Sequence, residues 1–272
     1  YRVGINWKDI LLKIILLVLL ISPLVIAWLP IEWFSNITPE CLKSDNYVQI
    51  LFNSVQELSI TLVTTMIFSM IISFLLGYFS VLSMSVGRFF SNIMNAIESI
   101  PSILIALFCY APVSGALVKS SSHTSSLISL AVFIAAATAT VLPAAVRSIS
   151  IPLSDLYHQK YSVSFRSYGF AKSRILSVLM KTTLMKDTLK RVAAGILLKT
   201  LVLDTSFGFV IQVGLGATGT PQHTSPGALI ALYRRSLLGF DGHPAMFWIP
   251  SVVLRALSVA FLIMISDKKE DA

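Results

Sequence analysis

The chain has 272 residues, of which 55% are hydrophobic and only 12% charged, and its mean hydropathy is +0.80. So apolar a composition excludes an ordinary water-facing surface and makes an integral membrane protein the expected class. The net charge of +8 is concentrated in a few segments between apolar runs, as topology signals are, so no nucleic-acid partner is expected.

In chain order, Arg2, Lys8 and Lys13 precede an apolar run that ends near Trp28 to Pro30. It is longer than a leader core and has no small-x-small cleavage site, so it reads as a retained first span. A helix needs about twenty residues to cross about 30 Å of hydrocarbon, which places spans near 10 to 30, 58 to 83, 92 to 117, 126 to 147, 192 to 215 and 246 to 266. Pro101 and Pro112 should bend the third or shift its register, and Pro143 sits late in the fourth. The chain reads as one membrane domain, with a first helix and outer connection over 1–57, a five-helix core over 58–272, and a loop over 148–191.

Six spans with the N-terminus inside put fifteen Lys and Arg residues on the inner side and four, Lys43, Lys119, Arg234 and Arg235, on the outer side. By the positive-inside bias both termini are expected in the cytoplasm. Nine of the inner residues lie between Arg147 and Arg191, opposed only by Asp155 and Asp187. The centre of that stretch, residues 160–176 (KYSVSFRSYGFAKSRIL), reads as two short helices hinged at Gly169. It has the form of a docking surface for another protein or of a helix lying on anionic lipid.

Glu98, Lys199, Asp204 and Arg255 are the ionisable residues in or close to spans. A charge at membrane depth costs several kcal/mol unless paired or hydrated, so each is a candidate for a cavity wall or an interhelix contact. Lys199 and Asp204 are five residues apart and do not share a helix face. Cys41 and Cys109 are far apart in sequence, and the four histidines show no metal-ligand spacing, so neither a disulfide framework nor a metal site is expected.

Three segments carry a resemblance to a known family. Glu98 to Leu107, ESIPSILIAL, is similar to an acidic residue followed by S-I-P-S-L-L-L-A-L. Tyr161, Ser164, Phe165, Arg166, Gly169 and Arg174-Ile175-Leu176 align with Y-V-x-A-A-R-A-L-G-A-S-x-x-R-I-L, with Ser164 and Phe165 in place of the two alanines. Asp204 to Gly227, DTSFGFVIQVGLGATGTPQHTSPG, resembles an acidic residue, S-F-L-G-L-G and a P-x-x-P-x-W-G turn that here lacks its tryptophan. In this order and spacing they resemble the C-type permease subunit of ABC importers of the dipeptide, oligopeptide and nickel group.

The resemblance implies an all-α integral membrane protein of the type I importer permease fold, with six transmembrane helices, in a bacterial cytoplasmic membrane. It implies ATPase coupling through Tyr161, Val163, Ser164, Phe165, Arg166, Tyr168 and Gly169, with Val163, Phe165 and Tyr168 as apolar anchors. Glu98, Pro101, Lys199, Asp204 and Arg255 are the candidates for translocation or gating. The chain has no G-x-x-x-x-G-K-S/T loop, so no cofactor is expected on it and ATP would be hydrolysed by another subunit. The implied partners are a second homologous permease, one or two ABC ATPase subunits, an extracytoplasmic substrate-binding protein and the lipid bilayer. The competing reading is an ion-gradient-driven transporter or channel that works without an ATPase.

Overall fold

The computed structural model describes residues 7–40, 47–119, 123–210, 225–238 and 243–266. Among them regular structure is helical only: α1 Trp7–Trp28, α2 Ile31–Ile37, α3 Tyr47–Leu82, α4 Met84–Glu98, α5 Ser102–Lys119, α6 His123–His158, α7 Lys160–Ser167, α8 Lys172–Leu179, α9 Thr183–Val210, α10 Pro226–Leu232, a 3₁₀ turn Tyr233–Leu238, and α11 Ala245–Ile265. Five helices are long and apolar enough to cross a membrane, and six crossings result if the bent pair α4 and α5 counts as one. Their outward faces carry large apolar side chains, such as Leu17, Leu24, Phe68, Ile71, Val259 and Leu262, which suits contact with lipid tails. The protein is an all-α membrane protein.

The third expected span departs most from its prediction. In place of one helix over 92–117, α4 and α5 meet at an 87° bend. The break falls at Ser99 to Pro101, because proline has no N–H to continue the ladder and disfavours helix in the residue before it. Pro112, by contrast, lies inside α5. Three other spans are longer than expected: α3 starts at Tyr47 in place of 58, α6 runs to His158 in place of 147, and α9 starts at Thr183 in place of 192. The boundary placed at 57/58 therefore falls within α3. Residues 148–158 and 183–191 of the expected loop belong to α6 and α9, which leaves 159–182 as the connection. The Gly-rich 211–224 stretch lies outside the described residues.

At 36 residues each, α3 and α6 are about 54 Å long, well beyond a hydrocarbon slab of about 30 Å. They pack against each other, with Gly77 so close to α6 that a Cβ there would fall 2.9 Å from Ile149, and α3 buries the small residues Thr61, Thr65, Ser69, Ser73 and Gly77 at four-residue intervals. Small side chains let helix backbones approach closely where no hydrophobic drive exists between helix and lipid. The projecting ends of α3 and α6 form a core with α8 and α9 that includes Ile149, Leu153, Leu156, Leu176, Leu179, Met185 and Ile196.

Helix α1 packs through Leu12 and Leu19 against Leu58, Leu62, Leu201 and Phe261 of α3, α9 and α11. Pro23 deprives the Leu19 carbonyl of its helical donor. The Ser22 hydroxyl lies 3.3 Å from that oxygen and 2.7 Å from the Ser59 hydroxyl of α3, the kind of substitute partner a proline requires in a spanning helix. At one end of the bundle Asp9 pairs with Lys190 at 2.8 Å and Lys8 bonds the Ser266 carbonyl, so the starts of α1 and α9 and the end of α11 lie together. At the other end, the Tyr47 hydroxyl donates to the Met246 carbonyl at 2.7 Å, beside Tyr233.

Candidate functional site

The connection from 159 to 182 is built as an exposed helix on a buried one. In α7, Tyr161, Val163, Ser164, Phe165 and Arg166 are exposed, as are Tyr168, at 81%, and Gly169. At its end Gly169 has φ +78°, a left-handed conformation that costs a non-glycine residue about 1–2 kcal/mol. The Gly169 N–H donates to Arg166 O at 3.0 Å, and the Phe170 N–H to Phe165 O at 3.3 Å. Together with the edge-on contact of the Phe165 and Phe170 rings, these bonds form a Schellman motif, which satisfies the last carbonyls of α7 and reverses the chain sharply.

Helix α8 is differently placed. Ile175, Leu176 and Leu179 are buried against α6 and α9, and the Tyr78 hydroxyl of α3 donates to the Ser173 carbonyl at 3.1 Å. Arg166 of α7 and Lys172 of α8 lie 4.8 and 5.3 Å from the Tyr157 ring of α6, where the ring face attracts cations. Arg166, expected as a contact for a partner, is thus also a tie between α7 and α6. Helix α7 is tied to α6 through Arg166, and α8 is packed among α3, α6 and α9.

A cavity of about 510 Å³ lies between α6 and α9 and is open to the outside. Its wall is largely apolar, including Val141, Ile151, Val192 and Ile196, but it carries Arg147, Arg191 and Lys199 and no Asp or Glu among the described residues. That volume is typical of small-molecule pockets. Arg147 pairs with Glu98 at the end of α4 and bonds the Asn95 side chain, so the bent α4–α5 pair is fastened to the cavity wall.

The predicted membrane charges have separate environments. Lys199 points into the cavity, whereas Asp204, only 2% exposed, is buried on another face of α9. Its Oδ2 has no hydrogen-bond partner among the described residues, and Glu57 of α3 is near enough for the two carboxylates to repel. Arg255 is exposed, 5.9 Å from the Trp248 ring, and Pro101 is exposed in the bend. No group of three or more His, Cys, Asp or Glu able to hold a metal occurs among the described residues.

Sequence reasoning missed Tyr157, Tyr78, Phe170 and Glu57. Phe170 was legible as the apolar residue after a capping glycine; the others act through contacts between distant helices. The two described ends of the third resemblance segment do meet. A Cβ on Gly227 would fall 2.3 Å from the Thr205 carbonyl oxygen, so α10 rests directly on α9 beside Asp204. The architecture defines a multi-helix membrane protein with an exposed helical projection. The chain matches no family model and no curated protein.

Proposed function

We propose that the chain is the permease subunit of an ATP-driven ABC importer, forming half of a path for a small solute and receiving the power stroke at α7. The observation that carries this reading is the pairing of an exposed, Schellman-capped helix with a second helix buried among three spanning helices. A free amphipathic helix on a membrane surface needs no such linkage to the bundle. In this reading α7 occupies a groove of an ATPase subunit, with Val163, Phe165 and Tyr168 as apolar anchors. Movement of that subunit rotates α8 with the ends of α3, α6 and α9 and opens the path to the other side.

The α7–α8 end and the ends of α1 and α11 then face the cytoplasm of a bacterial inner membrane, in keeping with the positive charge bias. A homologous permease completes the path, an extracytoplasmic binding protein delivers the solute at the opposite end, and this chain is not itself an ATPase. The test is gentle extraction and reconstitution. Transport is expected only when an ATPase and a second permease accompany the chain; transport by the chain alone would refute the reading.

The alternative, an ion-gradient-driven transporter or channel, draws on one observation, the buried Asp204 carboxylate with an oxygen that has no partner among the described residues. Intramembrane acids of this kind can carry coupling ions. It calls for solute uptake by the chain alone in vesicles under a proton or sodium gradient.

A further inference from the structure

We infer that the cavity between α6 and α9 receives a water-soluble anion with an apolar body, such as a solute that joins a carboxylate to an aliphatic side chain. Naming that anion as the transported solute rests on the permease reading, while the anion site itself stands on the cavity's construction.

Lys199 is sixteen residues from the start of α9 and eleven from its end, or about 24 Å and about 16 Å. A hydrocarbon slab of about 30 Å drawn anywhere along the helix includes it. No carboxylate pairs with Lys199 among the described residues, and its side chain is exposed in the cavity wall. A lysine in that position is tolerable if the cavity holds water or a counter-anion, and costs several kcal/mol against lipid tails.

Across the cavity Arg147 lines the α6 wall with its guanidinium held by Glu98 and Asn95 of α4, and Arg191, two helical turns away on α9, makes an interaction of its own, so the charge that meets a solute is that of Lys199. Glu98 approaches Arg147 from α4, outside the lining. Between the charges the wall is aliphatic, from Val141, Ile151, Val192 and Ile196. The chemistry selected is one negative group held by Lys199 and an apolar remainder laid along the wall; a cationic solute is disfavoured by the same charge.

Ser148, exposed in the lining, is the site for the test. In a chain with Cys41→Ser and Cys109→Ala, Ser148→Cys is labelled in phosphatidylcholine nanodiscs by a sulfonate-bearing and by a trimethylammonium-bearing thiosulfonate of similar size. The sulfonate should be favoured by about tenfold relative to the same pair at an exposed outer position, and Lys199→Gln should reduce the preference. Ala144→Cys provides a second lining position if Ser148→Cys does not fold. Added N-acetylleucine should slow labelling, and N-acetylleucinamide, which lacks the carboxylate, should not.

Equal labelling by both reagents, or equal protection by acid and amide, overturns the proposal. If labelling is blocked by phosphatidylglycerol in the nanodisc and N-acetylleucine never protects, the site belongs to lipid headgroups and the proposal also fails. The assay needs no ATPase, so failure of the permease reading leaves its outcome unchanged, and the converse holds.

Discussion

Phe165 and Phe170 are joined twice, by a 3.3 Å bond from the Phe170 N–H to the Phe165 carbonyl and by rings meeting edge to face at 5.9 Å. The four residues they bracket contain the left-handed Gly169. No neighbouring atom would meet a Cβ at Gly169, so any penalty for substitution lies in the backbone alone. Gly169→Val should therefore cost about 1–2 kcal/mol locally and uncouple ATPase activity from transport while membrane insertion stays normal. Gly169→Asn, whose side chain tolerates this conformation, should retain most coupling. Equal behaviour of the two in a reconstituted transport assay would show that the turn does not transmit the stroke.

Gly227 supports a different prediction. A Cβ there meets not only the Thr205 carbonyl but also the Thr205 Cα at 2.8 Å, which is backbone and cannot turn aside. Gly227→Ala should destabilise the chain by about 1–3 kcal/mol through overpacking, read as a lower Tm in detergent. An unchanged Tm would mean that α10 is free to lift from α9.

For Asp204, the buried carboxylate has an oxygen without a partner and lies near a second acid. Asp204→Asn keeps the shape and removes the charge, so stability in detergent should be unchanged or higher. A large loss would reveal that a cation outside the described residues holds the carboxylate. Loss of transport with gain in stability would assign Asp204 a working role.

The Glu98–Arg147 pair is half-exposed on both sides, at 47% and 41%, so water screens it. A double-mutant cycle with Glu98→Gln and Arg147→Gln should give a coupling of only about 0.2–1 kcal/mol, shrinking with added salt. A coupling several times larger would mean that the α4–α5 bend depends on this pair more than on Pro101.

Much of the fold was legible because its causes are local. Runs of apolar residues predicted the first and last spans to within about three residues at each end of α1 Trp7–Trp28 and α11 Ala245–Ile265. Gly169 announced a helix end, since few residues adopt its conformation. The extensions of α3 and α6 were missed because Tyr47 to Glu57 and Ser148 to His158 are too polar to read as membrane spans. They are helical because neighbours cover them: Tyr47 and Ile50 pack with Leu229 and Met246, and Leu153 and Leu156 with α8. At the candidate site, Lys199 and Asp204 could be singled out as costly charges, but their surroundings could not.

By itself the sequence determines that this is a multi-span membrane protein, that nine of its Lys and Arg residues fall between Arg147 and Arg191, and that this stretch turns at Gly169. Apolar content, charge bias and glycine's conformational freedom belong to short stretches of chain and need no knowledge of the rest. Only the tertiary structure decided that the third apolar segment turns through 87° and that α8 is buried while α7 is not. It likewise decided that Arg147 and Lys199, fifty-two residues apart, share one cavity with no acid in its described lining. Those relationships depend on which helices pack together, and close packing is set by steric fit between residues far apart in the chain.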